Sequence, residues 1–137
     1  MKPYTCKWFN EEKKIILFDI IAPWNWEDAF QAIQEQLELA DSVDHGVHAI
    51  YHFHNVPTIP RGSGFTNLKR LASMQHPNDR LACFVGTHGL LQAIMNILSS
   101  VYGLRDVIQT YHFVETPEEA FKIIADYERE HPEDAAL

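Results

Sequence analysis

Histidine is the residue type through which this sequence could most readily do chemistry, because eight of its 137 residues are histidines. His48, His52 and His54 stand at alternate positions of one apolar stretch, and alternate side chains of a strand lie on the same face. His52 and His54 could bind a metal ion with a third ligand such as His88 or His112. The alternative is that these rings occupy the exposed end of a strand and hydrogen-bond to backbone. The chain has no His-Glu-x-x-His or Cys-x-x-Cys pattern, so we predict no metal site and no cofactor.

A serine nucleophile is the second chemical candidate. Ser63 stands between Gly62 and Gly64, and His54 or His88 could act as its base. The segment lacks the Gly-x-Ser-x-Gly pattern of a nucleophile elbow. We therefore predict a protein that is not an enzyme, and we keep a serine or metal-dependent hydrolase as an alternative.

Two short segments have the chemistry of binding sites. Thr87 and His88 lie in a Gly-Thr-His-Gly turn before a helix, where free amides could hold an anion. Trp26 belongs to a Trp-Asn-Trp segment, and an exposed indole there would be a binding anchor for a partner. The competing interpretation of the tryptophans is that they cover the open end of the core.

Composition limits the classes of function. The formal net charge of −8 disfavours nucleic acid and anionic membranes as partners, because both attract basic surfaces. No apolar run approaches the roughly 20 residues of a membrane span. The two cysteines, Cys6 and Cys83, do not make a disulfide framework, which favours a reducing, cytoplasmic compartment. We expect one domain over residues 1–137, with its core at 5–127 and a frayed tail at 128–137.

The pattern of apolar runs predicts an α/β fold with a mixed sheet of about five strands and about four helices, in the order ββαβαβαβα. Asn25 is predicted to cap the first helix and Thr116 the last, where Glu119 would complete a capping box. We expect Phe30, Ile33, Leu37 and Ala40 to form the core face of the first helix. The predicted strands are Thr5–Phe9, Ile15–Ile21, Val47–Val56, Leu81–Val85 and Gln109–Val114, and Gly86-Thr87 is expected to open the third helix.

This order of elements resembles a STAS domain, the fold of anti-sigma-factor antagonists and of the cytoplasmic tails of sulfate transporters. Three local pieces support the resemblance. Gly62-Ser63-Gly64-Phe65 opens a helix where antagonists have an Asp-Ser-Ser-Gly-Leu-like turn, Leu81–Gly86 is a short strand before a long helix, and Val114–Ala120 joins the last strand to a helix that opens with Glu-Glu-Ala.

The resemblance implies a phosphoacceptor at Ser63, because antagonists are phosphorylated there by a partner kinase. A helix N-terminus accommodates phosphate well, and Arg61 is close enough in sequence to pair with it. Arg61 and Gly62 replace the usual Asp and Ser of the turn, however, so Ser63 can also be read as a plain N-cap that bonds to the Thr66 amide.

The resemblance makes a regulatory protein-binding module the favoured function. Its partner would be a kinase or an anti-sigma-like regulator, docked through residues 57–71 with residues 86–90 beside them. A homodimer is one possible oligomeric state. The alternative is a small-molecule site at the strand ends, in a pocket lined by Tyr51, Phe53, His54 and His88. The candidate binding residues are Arg61, Gly62, Gly64, Phe65, His54, Thr87, His88 and Trp26.

Overall fold

The computed structural model of the chain describes residues 2–62, 64–87, 89–100 and 104–132, and only the backbone of Phe65 and Leu90. These residues form one five-stranded sheet and five helices. In chain order the elements are β1 (Tyr4–Trp8), β2 (Ile15–Ile20), α1 (Trp26–Asp41), β3 (Val47–Phe53), α2 (Gly64–Ala72), β4 (Asp79–Val85), α3 (Leu90–Leu98), α4 (Arg105–Ile108), β5 (Tyr111–Val114) and α5 (Pro117–Glu130).

The sheet is mixed, and its strands follow the order of the chain, β1-β2-β3-β4-β5. β1 and β2 form an antiparallel hairpin, whereas β2 to β5 run parallel. Parallel strands that advance in one direction through right-handed crossovers place their connecting helices on one face. α1, α2 and α3 accordingly share one core with the sheet, and α5 packs on the opposite face. The α/β class and the mixed five-stranded sheet predicted from the sequence are confirmed.

An aromatic row crosses the sheet beneath α1, α2 and α3. Phe18, Tyr51, Phe84 and Phe113 are in-register neighbours on β2, β3, β4 and β5. Their rings stack in sequence, with centroid separations of 4.8, 5.0 and 5.1 Å and interplanar angles of 14 to 16°. We refer to these four residues as the aromatic row. Each stacked pair adds about 0.5–1.5 kcal/mol to the stabilisation that comes from burial.

The opposite face of the sheet has a smaller core under α5. Ile50 and Cys83 lie beneath Ala120 and Ile124 of the helix, and all four are buried. His48 is also buried here, where its Nδ1 accepts a hydrogen bond from the Leu81 amide at 3.3 Å and its ring contacts Tyr127. His48 therefore has the role of a hydrogen-bonded core histidine.

Several element boundaries differ from those predicted. β3 ends at Phe53 rather than Val56, because Asn55 adopts a left-handed conformation (φ 56°) and its amide turns back to the Phe53 carbonyl. α3 begins at Leu90 with Gly89 as its N-cap, three residues after the predicted opening. β5 begins at Tyr111, since Arg105–Ile108 forms the extra short helix α4.

The core face of α1 was predicted only in part, because Ala40 is buried and Ile33 packs against the core. The buried residues are Ala29, Ala32, Gln36 and Ala40, whereas Phe30 is only half-buried and lies under the Arg70 guanidinium, 4.5 Å from its ring centroid. Small side chains on this face let the helix approach a sheet that is already covered by aromatic rings. Periodicity alone favours the larger residues and so misses this face.

The capping residues of α1 and α5 are those predicted from the sequence. Asn25 caps α1 in a complete capping box with Asp28, whose side chain was not part of the prediction. Thr116 caps α5 by accepting a bond from the Glu119 amide at 3.3 Å. The Glu119 carboxylate accepts from the threonine hydroxyl at 3.4 Å rather than from the Thr116 amide, so the predicted capping box is not formed. α5 extends to Glu130, beyond the predicted core limit at residue 127, and residues 133–137 of the predicted tail lie outside the described residues.

The aromatic row predicts a large stability effect at Phe84. We expect Phe84→Ala to lower the free energy of unfolding by about 3–5 kcal/mol, because it removes a buried ring that stacks on both sides. Ile97→Ala is the control, since the Ile97 side chain is 58% exposed, and its effect should be within about 0.5 kcal/mol. Urea unfolding followed by circular dichroism measures both variants. Similar losses for the two would show that the row does not dominate the core.

Candidate functional site

A cavity of about 90 Å³ lies between the sheet and the helices α1, α2 and α3. β3 provides its floor through Ala49, Tyr51 and Phe53, and Phe84 continues that floor onto β4. The wall opposite includes Ala29 and Ile33 of α1, Leu68, Leu71 and Ala72 of α2, and Leu91 and Met95 of α3. Most of the lining is therefore apolar, as in sites that bind small organic molecules.

One end of the cavity is polar. Gln36 comes from α1, Tyr51 from β3, Asp79 from the start of β4, and Tyr111 from β5. The Tyr51 hydroxyl donates to Gln36 Oε1. Burial raises the pKa of both tyrosines, so both hydroxyls stay protonated at neutral pH and can donate a hydrogen bond.

Asp79 is the unusual member of this polar end. Its Oδ2 accepts a bond from the His76 amide at 3.0 Å, but its buried Oδ1 has no hydrogen-bond partner among the described residues. An unsatisfied buried acceptor costs about 1–3 kcal/mol. Burial also raises the pKa of this carboxyl above its usual value, against the lowering effects of the His76 amide and ring, of the Gln36 side chain and of Arg80.

Two tryptophans close the other end of the cavity. Trp24 Nε1 donates to the Thr58 carbonyl at 3.1 Å, and Trp26 Nε1 donates to the Gly62 carbonyl at 3.0 Å. Both rings line the cavity, and Trp24 also contacts Phe53 edge to face at 5.8 Å. The Trp-Asn-Trp segment thus holds the loop between β3 and α2 against the core.

The candidate residues of that loop and of the next turn are only partly described. Arg61 and Gly62 are exposed, and Gly64 is the first residue of α2. Thr87 is buried. Ser63 and His88 lie outside the described residues, and so does the Phe65 side chain. Phosphorylation of Ser63 and anion binding at the turn of residues 86–89 therefore stay predictions.

His54 does not line the cavity, although the sequence placed it in a pocket with Tyr51 and Phe53. It lies immediately after β3, and its Nε2 is 2.7 Å from Asp19 Oδ1. His52 Nδ1 is 3.9 Å from the same oxygen. Among the described residues, Asp19, His52 and His54 are the group whose ligand atoms lie within 4.8 Å of one another. His112, proposed as a third ligand from the sequence, is not in this group.

The two cysteines lie in unreactive surroundings. Burial raises the pKa of the Cys83 thiol to about 12, and the pKa of Cys6 is raised to about 12 mainly for the same reason. A thiol with so high a pKa carries little thiolate at neutral pH and is a weak nucleophile. Cys83 packs in the core under α5.

Sequence reasoning missed Gln36, Asp79 and Asp19. Gln36 lies between Glu35 and Leu37 in a charged helix, and nothing in its spacing distinguishes it from a solvated side chain. Asp79 follows His-Pro-Asn and reads as a turn residue. Asp19 carried a usable signal, since it is the only charged residue within the apolar run Ile15–Ile21.

Comparison of the chain with protein-family models, with curated proteins and with solved structures gave no match. The resemblance to STAS domains therefore stays a prediction. Within the part of the chain that the structure describes, no helix has the length and apolar character needed to cross a membrane.

The raised pKa of Asp79 predicts a pH dependence of stability. Because its pKa is raised on folding, the Asp79 carboxyl holds its proton more tightly in the native state than in the unfolded chain, and this stabilises the protein at low pH. The stabilisation is lost as the pH rises from the unfolded carboxyl pKa of about 3.9 through the higher folded pKa. We expect Asp79→Asn to remove this loss, so the stability of the wild type relative to the variant falls with rising pH.

Denaturant unfolding at several pH values measures the difference, with Asp44→Asn as the control because Asp44 is an exposed carboxylate. At neutral pH we expect Asp79→Asn to be at least as stable as the wild type, since a neutral amide costs less to bury than a carboxylate. A difference between wild type and Asp79→Asn that stays constant with pH would contradict this assignment.

Proposed function

We propose that the protein is a non-catalytic binding domain for a small, mainly apolar molecule that carries one hydrogen-bond donor. The observation that carries the proposal is the buried Oδ1 of Asp79, an unpartnered acceptor at the polar end of an apolar cavity. A ligand donor placed against this oxygen would relieve its desolvation cost. Its apolar body would lie on the floor formed by Tyr51 and Phe84.

The size of the cavity limits the ligand. An engineered cavity of about 150 Å³ in another protein binds benzene, and the cavity here is about 90 Å³. Ligands of about five or six non-hydrogen atoms match this volume, and their affinity is bounded by about 1.5 kcal/mol per atom. Larger ligands require α2 or α3 to move outward.

The lining is poor in the side chains that most often act as general bases and nucleophiles. The described lining residues include no histidine, cysteine or lysine, which are common general bases and nucleophiles. Asp79 is the acidic residue among them, and burial raises the pKa of its carboxyl.

The regulatory function suggested by the STAS resemblance is compatible with this proposal. Trp26, which lines the cavity, also bonds to Gly62 in the loop predicted to dock a partner. Occupancy of the cavity could thus be transmitted to that loop.

Pyrrole and furan test the proposal as a matched pair of probes. Both are five-membered rings of nearly the same shape, but only pyrrole has an N–H donor. We expect pyrrole to bind more tightly than furan, by about 0.5–3 kcal/mol, the range that covers hydrogen bonds to neutral and to charged acceptors. Titrations followed by ¹H–¹⁵N correlation spectra measure both affinities and locate the shifted amides.

Asp79→Asn is the decisive variant. Its side-chain oxygen can keep the bond from the His76 amide, which places the NH2 group where Oδ1 stood, so the preference for pyrrole should disappear. Ala82→Val, which adds two methyl groups to the lining, should weaken both probes. The proposal is refuted if furan binds the wild type as tightly as pyrrole does. It is also refuted if the amides whose chemical shifts change lie only at the surface.

A further inference from the structure

We propose that Asp19, His52 and His54 form a binding site for a divalent transition metal of the zinc class, on the face of the sheet opposite the cavity. The three side chains, which we call the Asp-His-His cluster, bring two imidazole nitrogens to one carboxylate oxygen. The site lies beyond the proposed function and does not depend on it.

The sheet itself brings the cluster together. Asp19 and His52 are in-register partners on the parallel strands β2 and β3, so their side chains lie side by side on one face. His54 continues the ladder beyond β3, because its amide donates to the Ile20 carbonyl at 2.9 Å. The left-handed conformation of Asn55 then turns the chain away from the direction of β3. Backbone hydrogen bonds therefore position all three ligands.

The distances are close to those of a coordinated ion. Ligand atoms bound tetrahedrally at about 2.0–2.2 Å from a metal lie about 3.3–3.6 Å from one another. The two measured separations from Asp19 Oδ1, 2.7 Å to His54 and 3.9 Å to His52, lie on either side of this range. The side chains are 25 to 41% exposed, so small rotations can complete the geometry.

An ion pair between Asp19 and His54 does not explain the position of His52. The Asp19–His54 contact is a hydrogen bond, but His52 lies beyond hydrogen-bonding distance of the same oxygen. Its ring instead lies against that of His54, with centroids 3.8 Å apart. Two rings so close cannot both be protonated without repulsion, whereas a shared cation would attract both nitrogens.

A further carboxylate lies near the cluster, because Glu118 of α5 interacts electrostatically with His52. Glu118 lies in the exposed first turn of α5 and adds negative charge near the cluster.

The ligand set selects the class of metal. Two imidazoles and a carboxylate suit zinc and its first-row neighbours, whereas Mg²⁺ and Ca²⁺ prefer oxygen ligands throughout. Three protein ligands leave one tetrahedral position for water or another molecule. The exposure of the cluster makes that position reachable from solvent.

Isothermal titration calorimetry of the full chain with Zn²⁺ tests the site. We expect one Zn²⁺ per chain and at least a tenfold loss of affinity in Asp19→Asn and in His52→Ala. Asp41→Asn is the matched control, because Asp41 and His76 form a carboxylate–imidazole pair at 3.1 Å. Among the described residues this pair does not belong to a group of three possible ligands. Its affinity should equal that of the wild type.

Imidazole nitrogen NMR spectra recorded with and without Zn²⁺ provide a second readout that does not depend on the variants. The signals of His52 and His54 should shift, while those of the buried His48 should not. Circular dichroism checks that each variant is folded. The proposal is overturned if the wild type binds no Zn²⁺, if Asp19→Asn and His52→Ala bind it as the wild type does, or if Mg²⁺ binds the cluster equally well.

Discussion

The stacked aromatic row is the interaction on which the rest of the structure depends. Each of the strands β2 to β5 contributes one ring at the same level. A shift of any strand by one residue would turn its ring to the other face of the sheet and break the row. The row therefore fixes the register of four strands and gives the helix layer a broad, flat surface to cover.

The cavity follows from the way the helices meet that surface. α1 approaches through small residues, chiefly Ala29 and Ala32, and its Gln36 reaches the layer between helix and sheet. Flat rings below and short side chains above do not interdigitate as alternating large and small residues would. The space that is left contains the polar groups of Gln36 and Asp79, which a purely structural core would have little reason to keep.

Sequence reasoning recovered the scaffold better than the site. Apolar runs and capping residues such as Asn25 and Thr116 act locally, so the order of the strands and the starts of α1 and α5 could be predicted. The cavity depends on which strands are neighbours, because Gln36, Tyr51 and Asp79 come from three separate elements. The pairing of Asp19 with His52 likewise follows from the register of β2 with β3, which one sequence does not reveal.

The alternation of side chains along β3 has a consequence for how this fold can diverge. Ala49, Tyr51 and Phe53 face the cavity, while His48, Ile50 and His52 face the other side. One strand thus contributes to the cavity on one face of the sheet and to the Asp-His-His cluster on the other, with the sheet between them. A substitution at an odd-numbered position of β3 changes the cavity and leaves the cluster intact, so the two faces can diverge independently.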